Sequence, residues 1–405
     1  MTSVRPSTPT VGTGAAAHGG VSSPESSRRE VSAGTHFAAL DGYRAIAALM
    51  VVVTHIATTT NTVSGAWGHI WGRFDFGVAL FFLMSGFLLY RPWVRAALEG
   101  RPRPHLARYA LRRAARILPL YWVVVVVTLR FLPDIQPVSG EQWWRHLLAL
   151  QIYQVSGPVE GLYQTWSLCT EISFYVLLPL LGLAALGRTS KDPARAWRRQ
   201  VTVLVVLVAV AAVYNGVRLV TDLLPFQANF WLPAYLDWFA AGMALALIEV
   251  RSRQPQPPRI VAVAVSLARD RTTALILAAS VFAVACTPVA GSYLFTANTP
   301  WQNAIKHELY LLAAFFFLLP GVMASGTGWA RILSTRVLAY LGLVSYGIFL
   351  WHLMLLRLLL PAMGIAVFTG GALRVGAALL VLTIAISSVT YFLVERPAQR
   401  WAHRY

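Results

Sequence analysis

Ten apolar stretches, each long enough to cross a bilayer as a helix, divide this 405-residue chain and leave it little choice of fold. They run at about 40–60, 74–92, 115–132, 166–187, 200–220, 229–249, 272–289, 306–324, 337–358 and 372–394. In hydrocarbon every backbone N–H and C=O must bond within the protein, so such runs fold as helices. The charges between them test the count. Arginine crowds 91–116 (eight), 188–199 (four, with Lys191) and 251–271 (five), then recurs at Arg331, Arg336, Arg396, Arg400 and Arg404. The alternate segments, 61–73, 133–165, 221–228, 290–305 and 359–371, hold only Arg73 and Arg145. Every second loop is basic, as the excess of positive charge on the cytoplasmic side of membranes requires. The expectation is an all-α polytopic membrane helix bundle of about ten transmembrane helices, in the cell membrane, with both termini cytoplasmic.

Composition agrees. Only 12% of residues are charged and 57% are hydrophobic, against about 25% charged in soluble domains. The net charge of +18 comes from 34 basic side chains, all arginine except Lys191 and Lys306. Positive loops account for it, and no nucleic acid partner is expected; the lipid bilayer is the partner that such loops face. Cys169 and Cys286 both fall in spans, with no CxxC or Cys/His spacing, so neither a disulfide framework nor a metal site is expected.

Residues 1–36 are rich in Ser, Thr, Gly, Ala and Pro and read as a disordered cytoplasmic tail. A single membrane domain is expected over 37–398, with 399–405 a cytoplasmic C-terminal tail. The long loop contains Glu141–Tyr153, apolar on one side with adjacent Trp143 and Trp144, which suits a helix lying in the interface or a plain Trp anchor. No internal repeat is apparent, which weighs against a transporter of inverted halves.

Ionisable groups inside spans are costly and mark functional interiors. The first span, LDGYRAIAALMVVVTHIA, carries Arg44 and His55. Eleven residues of helix rise about 16 Å, so the two lie near opposite faces. Counting along each span places His55, Glu171 and His352 at one level in the outer third of the membrane, with Asp237 nearer the middle. Towards the cytoplasm lie Arg44, Arg91 below Ser85-Gly86, and Arg112-Arg113-Ala114-Ala115-Arg116. Arg113 and Arg116, three apart, share a helix face and suit an anionic ligand such as a diphosphate; lipid headgroups are the alternative.

This layout suits transfer between a charged cytoplasmic donor and an external acceptor. A histidine removes a proton from an attacking hydroxyl, and a carboxylate orients it. No GxSxG elbow is visible, which favours direct attack. A structural histidine remains the alternative for His55. A membrane carrier or channel using the same polar groups as a path, or a non-catalytic binding protein, is the rival class.

The motifs resemble those of the acyltransferase type 3 family of integral membrane O-acyltransferases. The first helix has the family's Arg, ten residues, then His (Arg44, His55); LFFLMSGFLL at 80–89 resembles its second-helix motif (Phe81, Phe82, Ser85, Gly86). RRAARILPLYW at 112–122, TWSLCTEISFY at 165–175, DWFAAGM, SYGIFLWH and the closing Val394–Pro397 match in order. The resemblance implies an acyl-CoA co-substrate, often acetyl-CoA, and a hydroxylated acceptor such as a sugar, glycan, lipid-linked intermediate or natural product, in the bacterial cytoplasmic membrane. It implies His55 as base with Arg44 essential nearby, Glu171 as an active-site carboxylate, and Arg113 and Arg116 on the donor. Ser85 and Arg91 are assigned with them to the donor side. His352, Trp166 and Asp237 are assigned to the acceptor side, and no bound cofactor is expected. Two departures stand out: Cys169-Thr170 replaces a common aliphatic-acidic pair, and Ala79 precedes Leu80-Phe81-Phe82 where the family often has Asp one or two places earlier.

Overall fold

The computed structural model describes residues 2, 38–154, 156–187, 192–293, 298–323 and 328–405. Apart from Thr2, the tail expected over 1–36 lies outside the described residues. All regular structure among them is helical. Ten helices fall on the ten expected spans. They are α1 (Ala38–Thr59), α2 (Gly77–Glu99), α3 (Leu106–Phe131), α4 (Thr165–Leu186) and α5 (Pro193–Val220), followed by α6 (Leu236–Arg251), α7 (Arg271–Ala285), α8 (Pro300–Met323), α9 (Arg336–Ala362) and α10 (Ala372–Thr390). Among the described residues nine segments are long and apolar enough to cross a membrane, and α7, at 15 residues, is shorter. Its rise of about 22 Å falls short of the hydrocarbon thickness, and it packs along α8.

Burial separates the central helices from the peripheral ones. The apolar window of α6 is 72% buried and that of α5 only 11%. α5 therefore presents valines outward on every side but one, as a helix against lipid does. α2 lies along α6 at backbone contact. A Cβ on Gly86 would stand 2.3 Å from the Phe239 carbonyl oxygen, and one on Gly242 2.0 Å from that of Leu83. Small residues permit this approach, which lets two helices pack closely without a hydrophobic drive from lipid.

Beyond α10 the chain continues through a π-helical turn, Tyr391–Glu395, into a short helix, Arg396–Ala402, that packs on α3. The segment expected as a tail from 399 is thus helical through Ala402. In the long loop, a helix at Gly140–Leu147 opens with a Ser139–Gln142 capping box, and a 3-10 turn follows at Gln151–Tyr153. Trp144 is exposed and Trp143 half-buried. His146 is fully buried; its Nδ1–H meets the Gln142 carbonyl at 2.7 Å and its Nε2 accepts from the Val159 amide at 3.2 Å. Burial holds this imidazole below its ordinary pKa. Both cysteines are buried and free.

Candidate active site

His55 lies near the end of α1, and its partner is His352 of α9. The rings are 5.0 Å apart, and His55 Nδ1 stands 3.2 Å from His352 Nε2. His55 Nδ1 also lies 2.7 Å from the Val51 carbonyl, and His352 Nδ1 3.2 Å from that of Ile348. Carbonyls only accept. A neutral His352 therefore donates from Nδ1 and offers its Nε2 lone pair, and the Nδ1–H of His55 points to Val51 and His352 together. That tautomer leaves the lone pair of His55 on Nε2, the form a general base needs.

The second centre is a cavity among α1, α2, α3, α4 and α9. Arg44, Ser85, Arg113, Arg116, Glu171 and Tyr175 supply its polar wall. α1 brings Arg44, held at 2.9 Å by Asp41 one turn before it. α3 brings Arg113, whose guanidinium lies 5.9 Å from the centre of the Tyr175 ring. On α4, Glu171 accepts from the Tyr175 hydroxyl at 2.5 Å and from the Ser85 hydroxyl of α2. Three guanidiniums and one hydrogen-bonded carboxylate thus face a single space, an arrangement that suits an anion with several acceptor oxygens. Phe81 and Phe349 complete the wall with rings 6.1 Å apart, and Phe349 lies 6.2 Å from His352. Among the described residues the histidines do not line the cavity; His352 meets its wall at the Phe349 ring.

The structure groups Arg44, Ser85, Arg113, Arg116 and Glu171, and separately His55 with His352. It does not pair Glu171 with His55. Counting along a helix gives depth but not azimuth, and the azimuth of α4 turns Glu171 to α2 and α3. Arg91 is not on the cavity. It is buried in a bidentate pair with Glu249 of α6, at 2.8 and 3.1 Å, and its work is to join α2 to α6. Trp166 packs among Phe82, Phe230 and Tyr235 behind the wall.

Asp237 is buried at 2.7 Å from His307, whose ring stacks 4.6 Å from that of Trp238. Among the described residues, only Asp237, His307 and Glu308 bring three potential metal-ligand atoms within 4.8 Å of one another, and Glu308 is exposed. This group lies outside the cavity lining.

A family model described as an acyltransferase domain matches residues 37–392, almost the whole described bundle. The chain belongs to that acyltransferase family. Among its relatives, the peptidoglycan O-acetyltransferase OatA of Listeria monocytogenes is 24% identical over 389 residues, covering 89% of this chain and 55% of the relative. The putative peptidoglycan O-acetyltransferase YrhL of Bacillus subtilis is 25% identical over 384 residues, covering 90% of this chain and 55% of the relative. The O-acetyltransferase OatA of Staphylococcus aureus is 22% identical over 331 residues, covering 77% and 49%. The chain spans about half the length of these curated relatives. No solved structure matches it.

In this member of the family, sequence reasoning missed Asp41, Tyr175, Tyr346 and His307. Two of them carried a signal. Asp41 precedes Arg44 by three residues and Tyr175 follows Glu171 by four, the spacings at which helical side chains meet. His307 carried none, because its partner comes from a helix 70 residues away.

Proposed function

We propose that the chain is a membrane O-acyltransferase that moves an acyl group, acetyl in the simplest case, from acyl-CoA to a sugar hydroxyl. The acceptor is a cell-wall glycan or its lipid-linked precursor, the class that the names of the relatives indicate. The observation that carries the reading is the single cavity walled by Arg44, Arg113, Arg116, Ser85 and Glu171 next to the His55–His352 pair. The arginine end faces the cytoplasm, where the basic loops lie.

The phosphates of the donor rest against Arg113 and Arg116, and its thioester end points past Phe81 and Phe349. His55 Nε2 takes the proton of the acceptor hydroxyl as its oxygen attacks the thioester carbonyl carbon. The carbon–sulfur bond then breaks, and the proton passes from the imidazolium to the leaving thiolate. The Val51 carbonyl keeps His55 in the base tautomer, and His352 helps to hold its ring in place. Glu171, held by Ser85 and Tyr175, balances the guanidiniums and does not touch the base. The charges are in place before the reaction, so they stabilise the developing oxyanion without reorganising.

The test is free-thiol release from acetyl-CoA by the purified protein in detergent, over a panel of glycan acceptors, in wild type and His55→Ala. Acceptor-dependent release that falls about 100-fold or more in the variant supports the assignment. Release that is unchanged in the variant removes His55 from its role.

A further inference from the structure

The closing Val394–Pro397 motif has no part in the reaction as drawn, yet it holds an unusual group. Glu395 is fully buried, and among the described residues neither carboxylate oxygen has a hydrogen-bond partner. Carboxylates buried for structural reasons are bonded, because an unpaired one is costly. Glu395 ends the π-helical turn Tyr391–Glu395. Such turns are rare inside α-helices and are frequent at functional sites.

What Glu395 is aimed at can be read from its neighbours. α3 packs against the turn, and Arg116 of α3 is the charged residue whose field acts on Glu395. Tyr346 of α9 also lies in the field of Glu395, and its hydroxyl donates to the Ile117 carbonyl at 2.9 Å. That bond pins α3 one residue past Arg116. Arg116, Ile117 and Tyr346 all line the cavity, and Glu395 does not. The cavity arginines also differ in their support. Arg44 has Asp41 at 2.9 Å, and Arg113 lies over the Tyr175 ring that bonds Glu171. Arg116 forms no ion pair among the described residues; the carboxylates that act on it are Glu171, on the cavity wall, and Glu395, off it.

We propose that Glu395 is a positioning residue for donor binding: from behind the cavity wall, its carboxylate holds the Arg116 guanidinium where it meets the phosphates of acyl-CoA. The inference rests on reading the cavity as the donor site. In a low-dielectric interior, attraction between opposite charges acts across a gap wider than a hydrogen bond.

A double-mutant cycle tests it on the full chain in detergent, with wild type, Glu395→Gln, Arg116→Gln and the double variant. Calorimetric binding of free CoA and thermal melting are both measured. Each single variant should weaken CoA binding about tenfold. The double variant should be no weaker than Arg116→Gln alone, because Glu395 acts only through Arg116. Glu395→Asp should recover most of the affinity, and the acceptor KM should not move. Additive losses in the double variant, or wild-type CoA affinity in Glu395→Gln, would overturn the proposal. If Glu395→Gln does not fold, Glu395→Asp with and without Arg116→Gln forms the same cycle. If the wild type binds no CoA, it is the donor reading that has failed. The melting shifts then decide the rest: coupled shifts keep the link between Glu395 and Arg116, and additive shifts remove it.

Discussion

Replacing His352 with leucine separates the base from its support. The leucine fills a similar volume in a fully buried site and removes the acceptor at 3.2 Å from His55 Nδ1. The shorter bond of His55 to Val51, at 2.7 Å, remains. The base tautomer is therefore kept, and what is lost is one long neutral hydrogen bond, worth about 1 kcal/mol. At 1.36 kcal/mol per factor of ten, kcat should fall about fivefold. His55→Ala removes the base itself and should cost about 10²–10⁴-fold. His352→Gln returns an acceptor oxygen and should recover part of the loss. The assay is acetyl-CoA-dependent thiol release at saturating acceptor, with melting temperatures to confirm that the variants fold. A loss in His352→Leu as large as that in His55→Ala would refute the division of roles, since His352 would then be the base. No loss at all would show that the pair does not position the base.

Three further outcomes are expected. Arg113→Gln should raise the KM for acetyl-CoA about tenfold or more, the scale of one charge-assisted hydrogen bond, with a smaller change in kcat; a donor titration checks this. Arg91→Met should destabilise the fold by about 1.5–3 kcal/mol, the scale of a lost charged hydrogen-bonding partner, because it leaves buried Glu249 with only the half-exposed Arg253 beside it; Arg91→Met with Glu249→Leu should regain much of the melting temperature, and donor KM should be unaffected in both. His146 is held neutral by burial, and its Nε2 must be unprotonated to accept from Val159. Its lowered pKa means that its contribution is present above the unfolded value of 6.5 and is lost as pH falls below it. The protection factor of the Val159 amide, its exchange corrected for the intrinsic pH dependence, should therefore fall on acidification from pH 7 to pH 5, about the range where imidazole charges, and His146→Gln should remove that fall.

The spans were legible because each is an uninterrupted apolar run and the basic loops alternate between them. Even α7, too short to cross alone, stood out by that alternation. The arginine wall was legible from the spacing of Arg113 and Arg116 and from the placement of Arg44 inside a span. What remained hidden was azimuth and distant pairing. Arg91 looked like a donor ligand because its counter-charge, Glu249, lies 158 residues away. Glu171 and His55 sit at compatible depths, yet α4 turns the carboxylate towards Ser85. The His55–His352 contact joins helices 297 residues apart, and only shared depth hinted at it.

The contact of α2 with α6 fixes which parts of this protein can drift. Ser85 sits between Leu83 and Gly86, and both of these touch α6 through backbone atoms. No rotamer change can absorb a methyl group added at Gly86 or Gly242; the helices would have to separate, carrying Ser85 away from Glu171. The outward valines of α5 face no such constraint. Substitutions there can accumulate, and the membrane-facing coat can be rewritten for a different lipid, while the position of one serine hydroxyl stays set by two hydrogen atoms where side chains would otherwise be.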